Sequence, residues 1–457
     1  MKGKNFQTFQ SKIQEGMKIM KKFLAILLAL AMILSLAACG GAPAGNEATE
    51  PAGNEGGSAS SNAIRLVNGK IEIDAQLKKL AEMYKAETGV EVIIESMGGG
   101  IDIMGTLKGY YQAGNMPEIF VTGSDYEIST WGEAGVLADL TGEAWVSDTD
   151  AAFVHPEYGT VGFPYTVEAI GLIANMDLLA KAGVDPATMT NLEGYKAAFE
   201  ALDAKKDELG LTAVIGYSAE PVNLWWSTGN HMFGNYLDAG LAPTDTTYID
   251  MLSDGGKLDE ARLTDFANLF DLFHQYSDPA LLVSGTYDQQ ILNFASGKYA
   301  FVTQGNWIGA SLSTSAEYEA AGSFECAMIP YAFNDSADTI LVNSPSWWAV
   351  YDGPNVEAAK AFLQWCSEAT AQEVLVSEAG FISPFKSCTT VANDPLAATV
   401  MDYMSRGKTS GWHWLQLIEG LSMNYTGQIF ADFAAGNLDV PGFVKAMQTV
   451  CATAYAG

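Results

Sequence analysis

Gly162-Phe163-Pro164-Tyr165-Thr166-Val167-Glu168-Ala169-Ile170-Gly171-Leu172-Ile173-Ala174-Asn175-Met176-Asp177-Leu178-Leu179 is the stretch on which the reading of this chain turns. Pro164 excludes a helix at its start, and Ala169 to Ala174 is rich enough in branched apolar residues to form a buried strand. Asn175 and Asp177 then offer N-caps for a helix beginning near Leu178. One carboxylate, Glu168, is left where an extended segment passes from one half of the chain into the other, the way a hinge and cleft are built between two lobes. An acidic side chain among apolar strand residues is costly unless it is paired or serves a ligand. Glu168 is therefore either a ligand group or one partner of a hydrogen bond or salt bridge that fixes the hinge.

Working outward, Ile64 to Val67 reads as a strand and Asn68-Gly69 as a turn with a solvated Lys70 at its tip. Leu77, Leu80, Ala81 and Tyr84 lie on one face of a helix that stops at Thr88-Gly89. Val90 to Ile94, apolar except for Glu91, reads as a mostly buried parallel strand. Strand, helix and strand in this rhythm give an α/β lobe with a parallel sheet. Gly98-Gly99-Gly100 opens a spacing like that of a phosphate loop, but Thr106-Leu107 stands where Lys-Ser/Thr is required, so the glycines serve a close backbone approach instead.

A set of longer segments carries a resemblance. Pro-x-x-Val-Glu-Ala-x-x-Leu-Ile-x-Asn-x-Asp-Leu-Leu from Pro164 to Leu179, Gly114 to Phe120 with Pro117-Glu118-Ile119, Gly135 to Leu140, and Phe294 to Phe301 with Gly305-Asn306-Trp307 are similar to segments of the family 1 extracellular solute-binding proteins, the maltodextrin-binding-like receptors of ABC importers. Ala174 departs from the family pattern, which has Tyr there. The resemblance runs through nearly all of the chain after residue 62. It implies a two-lobed, periplasmic-binding-protein-like α/β fold of type II, with discontinuous lobes at 63–166 plus 331–384 and 167–330 plus 385–457. It further implies capture of a sugar or oligosaccharide and its delivery to a permease, by a monomer with no cofactor and no catalysis.

Several residues follow from that resemblance. The loop after the third strand, Thr122 to Tyr126, lies at a strand's carboxyl end, where ligands bind in open α/β sheets, and it contains Asp125. Glu220-Pro221 matches a Glu-Pro-Tyr of the maltodextrin receptors, but Val222 replaces the aromatic, which leaves stacking to Trp225 or Trp226. Trp307 stands where relatives lay a sugar ring on an indole. Lys70 occupies a turn where relatives place sugar-binding polar groups.

A pyranose carries hydroxyls around its rim and CH groups on its faces, so carboxylates and amides beside Trp or Tyr are the pattern that suits it. Glu168, Asp125, Glu220, Asn306, Tyr165, Trp225, Trp226 and Trp307 supply that mixture, with Trp347 and Trp412 as further aromatic walls. The competing reading is core packing, the commoner fate of a Trp, and it weighs most heavily on Trp347 and Trp412. His155, His231, His274 and His413 are scattered, and neither HExxH nor GxSxG occurs. Two carboxylates across a cleft would also suit a surface glycoside-cleaving enzyme. A polyamine or other cation would be served equally well by acidity and aromatics, with an affinity that falls as salt is added.

The balance of 24 Lys and Arg against 54 Asp and Glu gives a net charge of −30. Such a surface repels phosphate backbones and argues against nucleic acid. Length divides the 457 residues into two or three domains. Lys18, Lys21 and Lys22 precede an apolar run from Phe23 to Leu36, which is too short for a comfortable membrane span but suits a secretory signal over residues 1–38. Leu36-Ala37-Ala38-Cys39 resembles a bacterial lipobox, which implies lipidation of Cys39 and a position on the outer face of a bacterial membrane. Met1 to Gly16 has no place in such a signal, which points to Met17 or Met20 as the start. Residues 39–62 turn to Gly, Ala, Ser, Asn and Glu, with Pro-Ala-Gly-Asn-Glu at Pro43 to Glu47 repeated at Pro51 to Glu55. A leash of roughly 20 such residues has an end-to-end distance of about 25 Å. Cys326, Cys366, Cys388 and Cys451 show no metal-binding spacing and could form two bridges or none, with buried free thiols the favoured reading.

Overall fold

The computed structural model describes residues 63–98 and 101–456. The expected signal, Cys39 and the leash lie outside the described residues, as do Gly99 and Gly100. Two six-stranded sheets organise the rest. The first contains β1 (Ala63–Asn68), β2 (Glu91–Ser96), β3 (Ile119–Thr122), β4 (Phe153–His155), β5 (Gly159–Pro164) and β11 (Trp347–Val350), in the order β2-β1-β3-β11-β5-β4. The second contains β6 (Glu168–Asn175), β7 (Ala213–Gly216), β8 (Tyr299–Gly305), β9 (Cys326–Ile329), β10 (Ile340–Asn343) and β12 (Thr409–Ser410), with β6 pairing β8, β9 and β10.

The crossover stretch behaves as its residues dictate. Pro164 closes β5, every residue of β6 is buried, and the Asn175 side chain caps the next helix by accepting from Leu178 N at 3.1 Å. The helix carrying Leu77, Leu80 and Tyr84 spans Asp74–Thr88 and ends at Gly89, whose φ of 78° is left-handed backbone that a side chain would strain. β2 is parallel to β1, as expected, but it lies at the sheet edge rather than in its interior. Only Val92 is buried in it, and Ile93 is 49% exposed, because no further strand flanks β2 on its outer side.

The second return of the chain corrects the expected boundary at Tyr331. Tyr331, Phe333, Ala337 and Leu341 pack with Ile170, Phe270 and Phe273 in the core of the second lobe, and β10 pairs with β6. The crossing falls between Asn343 in β10 and Trp347 in β11 instead. A third strand of the junction comes at Ile382, whose carbonyl accepts from Val167 N at 3.0 Å and from Thr166 Oγ1 at 3.2 Å. Ser344 Oγ donates to the Thr166 carbonyl at 2.9 Å. Three passes of the chain are thus bonded side by side at one junction.

Leu66, Leu77, Phe163, Trp348 and Phe362 anchor the first core, and Leu172, Phe199, Phe270 and Phe301 the second. Each fully buried side chain of this size contributes roughly 1.5–3 kcal/mol. Exposed ion pairs such as Lys85–Glu91 contribute roughly 0–1 kcal/mol each, so the cores hold the lobes. Among the described residues Cys326, Cys366, Cys388 and Cys451 stand as free thiols, with Cys326, Cys366 and Cys451 buried. No helix among the described residues is long and apolar enough to cross a membrane.

Candidate functional site

β1 and β6 deliver opposite charges to the junction. Asn68 Nδ2 donates to the Lys70 carbonyl at 2.6 Å and fixes the turn after β1. The Lys70 ammonium then reaches Glu168 at the head of β6, with Nζ–Oε1 at 2.5 Å, and Glu72 at 3.2 Å. Lys70 is therefore not the solvated lysine of the sequence reading: its side chain is 15% exposed and that of Glu168 only 8%. Burial works against the charge on Lys70, but Glu168, Glu72 and Tyr165 together outweigh it and hold its pKa above the usual lysine value. Burial pushes the Glu168 carboxyl up, and the neighbouring ammonium pulls it back.

Facing this pair is a group of aromatic rings carried by the second lobe. β8 ends at Gly305, and Trp307 folds back over it so closely that a Cβ on Gly305 would stand 2.0 Å from the indole. The indole is oriented by a chain of amides. Trp307 Nε1 donates to Gln304 Oε1 at 3.1 Å, Gln304 Nε2 donates to Gln290 Oε1 at 2.7 Å, and Gln290 Nε2 donates to the Gly216 carbonyl at 2.7 Å. Trp226 lies 6.5 Å from Trp307 between ring centres and 6.1 Å from Tyr287. His231 is central: its ring centre is 5.2 Å from Trp226, Trp307 and Trp414, and 5.9 Å from Trp412. Burial, and after it the Lys70 charge, pushes the His231 pKa down to about 3, so the imidazole is neutral at ordinary pH.

Two cavities border this arrangement, and Lys70 lines both. One, of about 160 Å³, lies between the lobes, with Glu72, Glu168, Glu378, Trp307 and Ser311 on its walls. The other, of about 290 Å³, is in the first lobe, walled by Ile103, Met104, Val121, Glu127 and Ser346. Asp125 is half-buried at the first position of helix Asp125–Glu133, not in the expected loop, because the Ser124 side chain caps that helix by accepting from Glu127 N at 3.2 Å. Burial pushes the Asp125 carboxyl up, and His155 and His413 oppose that rise. His413 is itself held by Asp238, with Nδ1–Oδ1 at 2.5 Å.

Of the residues singled out from sequence, Glu168, Asn306 and Trp307 meet at the inter-lobe cavity and Trp226 joins the ring group, while Trp412, 2% exposed, packs behind the rings in the core of the second lobe. Asn306 is committed to holding β6, accepting from Ala169 N at 2.7 Å through its side chain. Glu220 caps a turn, accepting from Val222 N at 2.9 Å and Asn223 N at 2.7 Å. Trp225 turns toward Gly427, where an added Cβ would meet its own Cβ at 2.9 Å. Tyr165 is fully buried, stacked on Trp348 at 4.6 Å and bonded to Ser346 Oγ. Trp347 is core: Nε1 donates to the Ala151 carbonyl at 2.7 Å, and its ring meets Phe153 edge-on at 4.9 Å. Sequence reasoning missed His231, Tyr287 and Glu72 and gave Trp414 no role at the site. Trp412-His413-Trp414 could have flagged Trp414, whereas nothing beside His231 marks it in the chain.

Two lobes, three crossing passes and an inter-lobe cavity walled by Lys70, Glu168 and Trp307 define a ligand-capturing receptor fold. The model of the bacterial extracellular solute-binding protein family matches residues 79–399, and the chain belongs to that family. No curated protein sequence matches the chain. Among solved structures, it resembles a chitin oligosaccharide binding protein at 19% identity and a TM-score of 0.70, covering 86% of this chain and 99% of that one. It resembles the solute-binding protein RafE in complex with raffinose at 13% identity and a TM-score of 0.68, covering 86% and 99%. A sugar transporter from Bacillus licheniformis in complex with stachyose is 17% identical with a TM-score of 0.64, covering 85% and 98%. The fold is therefore the two-lobed type II periplasmic-binding-protein-like fold expected from the sequence.

Proposed function

We propose that this chain captures a neutral sugar or short oligosaccharide in the cleft between its lobes and delivers it to the permease of an ABC importer. The observation that carries this reading is the convergence of Trp226, Trp307 and Trp414 around His231, next to the Lys70–Glu168 pair. Indole faces suit the CH faces of pyranoses, and a buried ion pair offers directional partners to hydroxyls. The structural neighbours described with raffinose, stachyose and chitin oligosaccharide support a carbohydrate cargo.

A ligand that touches both lobes shifts the molecule toward its closed form by its extra affinity for that form. The closed form then presents the surface that the permease reads. In this proposal the chain is exported, tethered through lipidated Cys39, and works as a monomer without catalysis. A thermal-shift screen of mono- and oligosaccharides tests it, since a sugar at about 100 times its Kd adds about 2.7 kcal/mol of stability. A sugar response lost in Trp307→Ala is the expected result. No response to any sugar, with a response to polyamines, would overturn it.

A further inference from the structure

Stacking on indoles holds any pyranose with an exposed CH face and by itself discriminates poorly among sugars. We infer that His231, beside Trp307 of the inter-lobe cavity, is the specificity-determining residue, a hydrogen-bonding group set among rings that selects the orientation of one sugar hydroxyl. The inference rests on the carbohydrate reading and adds to it which residue discriminates.

Three observations point to this role. His231 is half-buried at the meeting point of four indoles, and among the described residues its ring nitrogens have no hydrogen-bond partner. Its position is built by an unusual backbone: Ser227–Met232 is a π-helical turn, and such turns recur at functional sites. That turn is braced by a second one, Ser422–Thr426. Ser422 Oγ donates to Asn230 Oδ1, and Gly229 sits so close that an added Cβ would stand 2.7 Å from Ser422 Cβ. Asn235 Nδ2 also donates to the His231 carbonyl at 2.9 Å. The imidazole is thus presented rigidly, as a selective contact requires.

A neutral imidazole has one donor and one acceptor nitrogen. A hydroxyl delivered to it is satisfied, while an epimer that points elsewhere leaves both groups without that partner. The test is calorimetric titration of the full-length protein with raffinose, maltotriose and triacetylchitotriose. In His231→Phe, which keeps a ring but no nitrogen, the spread of Kd between the tightest and weakest sugar should contract about tenfold. His231→Gln, which restores a polar group, should recover much of the spread, and Trp307→Ala should weaken all three sugars alike. A spread that survives in His231→Phe, or a Gln variant that behaves as Phe does, overturns the inference while leaving the carbohydrate reading intact. Failure of the unmodified protein to bind any of the three overturns both, and melting curves of each variant separate lost selectivity from lost folding.

Discussion

The two sides of the cleft are built on different principles. The first lobe contributes charge and apolar wall: Lys70 at the end of β1, Glu72 beside it, and the cavity of Ile103, Met104 and Val121. The second contributes rings, Trp226, His231, Trp307 and Trp414, backed by the buried Trp412 and steadied by amide chains and π-helical turns, with Glu168 as its acidic reach toward Lys70. Under the proposed function the difference amounts to a division of labour, in which the indoles of one side hold a ligand by its faces while the charged pair of the other, with His231, answers its rim. The Lys70–Glu168 pair is where the two sides meet, and it is the place to break the comparison.

Lys70→Met should have the largest effect, about 3 kcal/mol of stability at neutral pH, because removing one member of a buried pair strands the other. Glu168→Gln should cost less, since Glu72 still faces the ammonium at 3.2 Å. The double variant Lys70→Met, Glu168→Leu should regain most of the loss in urea unfolding. If instead both single variants keep full stability and lose only sugar affinity, the pair is purely a ligand contact and the lobes are not joined through it.

Next in size is Trp307→Ala, which should lose about 2 kcal/mol of sugar affinity, roughly 30-fold, by removing one stacking face. Charge variants on the first lobe, like His231→Phe on the second, should change which sugar binds more than how tightly sugars bind overall. Equal losses for all sugars from variants on both sides would erase the proposed division.

Much of the fold was legible because element types are encoded locally. Leu77, Leu80 and Tyr84 at helical spacing, Gly89 after Thr88, and the buried run of β6 each carry their own signal. Neighbours in space are not encoded that way. The pattern of Val90 to Ile94 cannot say that no strand will flank it, and the apolar residues from Tyr331 to Leu341 suit either lobe until packing chooses the second. Lys70 looked solvated because its partner is 98 residues away in the chain. His231 was invisible because a π-helical turn has no residue signature comparable to a cap or a turn glycine. Trp347, by contrast with Trp307, is 4% exposed and donates to a backbone carbonyl within the core.

Acid titration sharpens the contrast between site and core. His231 and His274 both have folded pKa values pushed down to about 3 by burial, against about 6.5 when unfolded. A lowered folded pKa gives stability that is present above 6.5 and is lost as pH falls toward 3. His413, raised by its hydrogen bond to Asp238, runs the other way: its contribution is present below 6.5 and is lost as pH rises through its folded pKa. His274 lies in the second core against Phe433 at 4.8 Å, away from the ring group, so it isolates the effect. Between pH 7 and pH 5 the unmodified protein should lose about 1–2 kcal/mol relative to His274→Phe. Sugar affinity should show no inflection near pH 6.5 from His231, and a midpoint there would mean that its imidazole titrates in the cleft.

The smallest effect belongs to Glu220, and it bears on how the resemblance is used. Its Glu-Pro matches a carboxylate that touches sugar in the maltodextrin receptors, yet here both oxygens accept backbone N–H groups of Val222 and Asn223, and the missing ring at Val222 is 72% exposed. The motif survives as a turn cap whose loss costs about 0.5–1 kcal/mol, by analogy with helix caps. Glu220→Ala should lower stability by that amount and leave sugar affinity within about twofold, since the ring group that starts at Trp226 does not depend on the Glu220 side chain. A tenfold loss of affinity at unchanged stability would return Glu220 to the ligand and extend the charged side of the cleft into the second lobe.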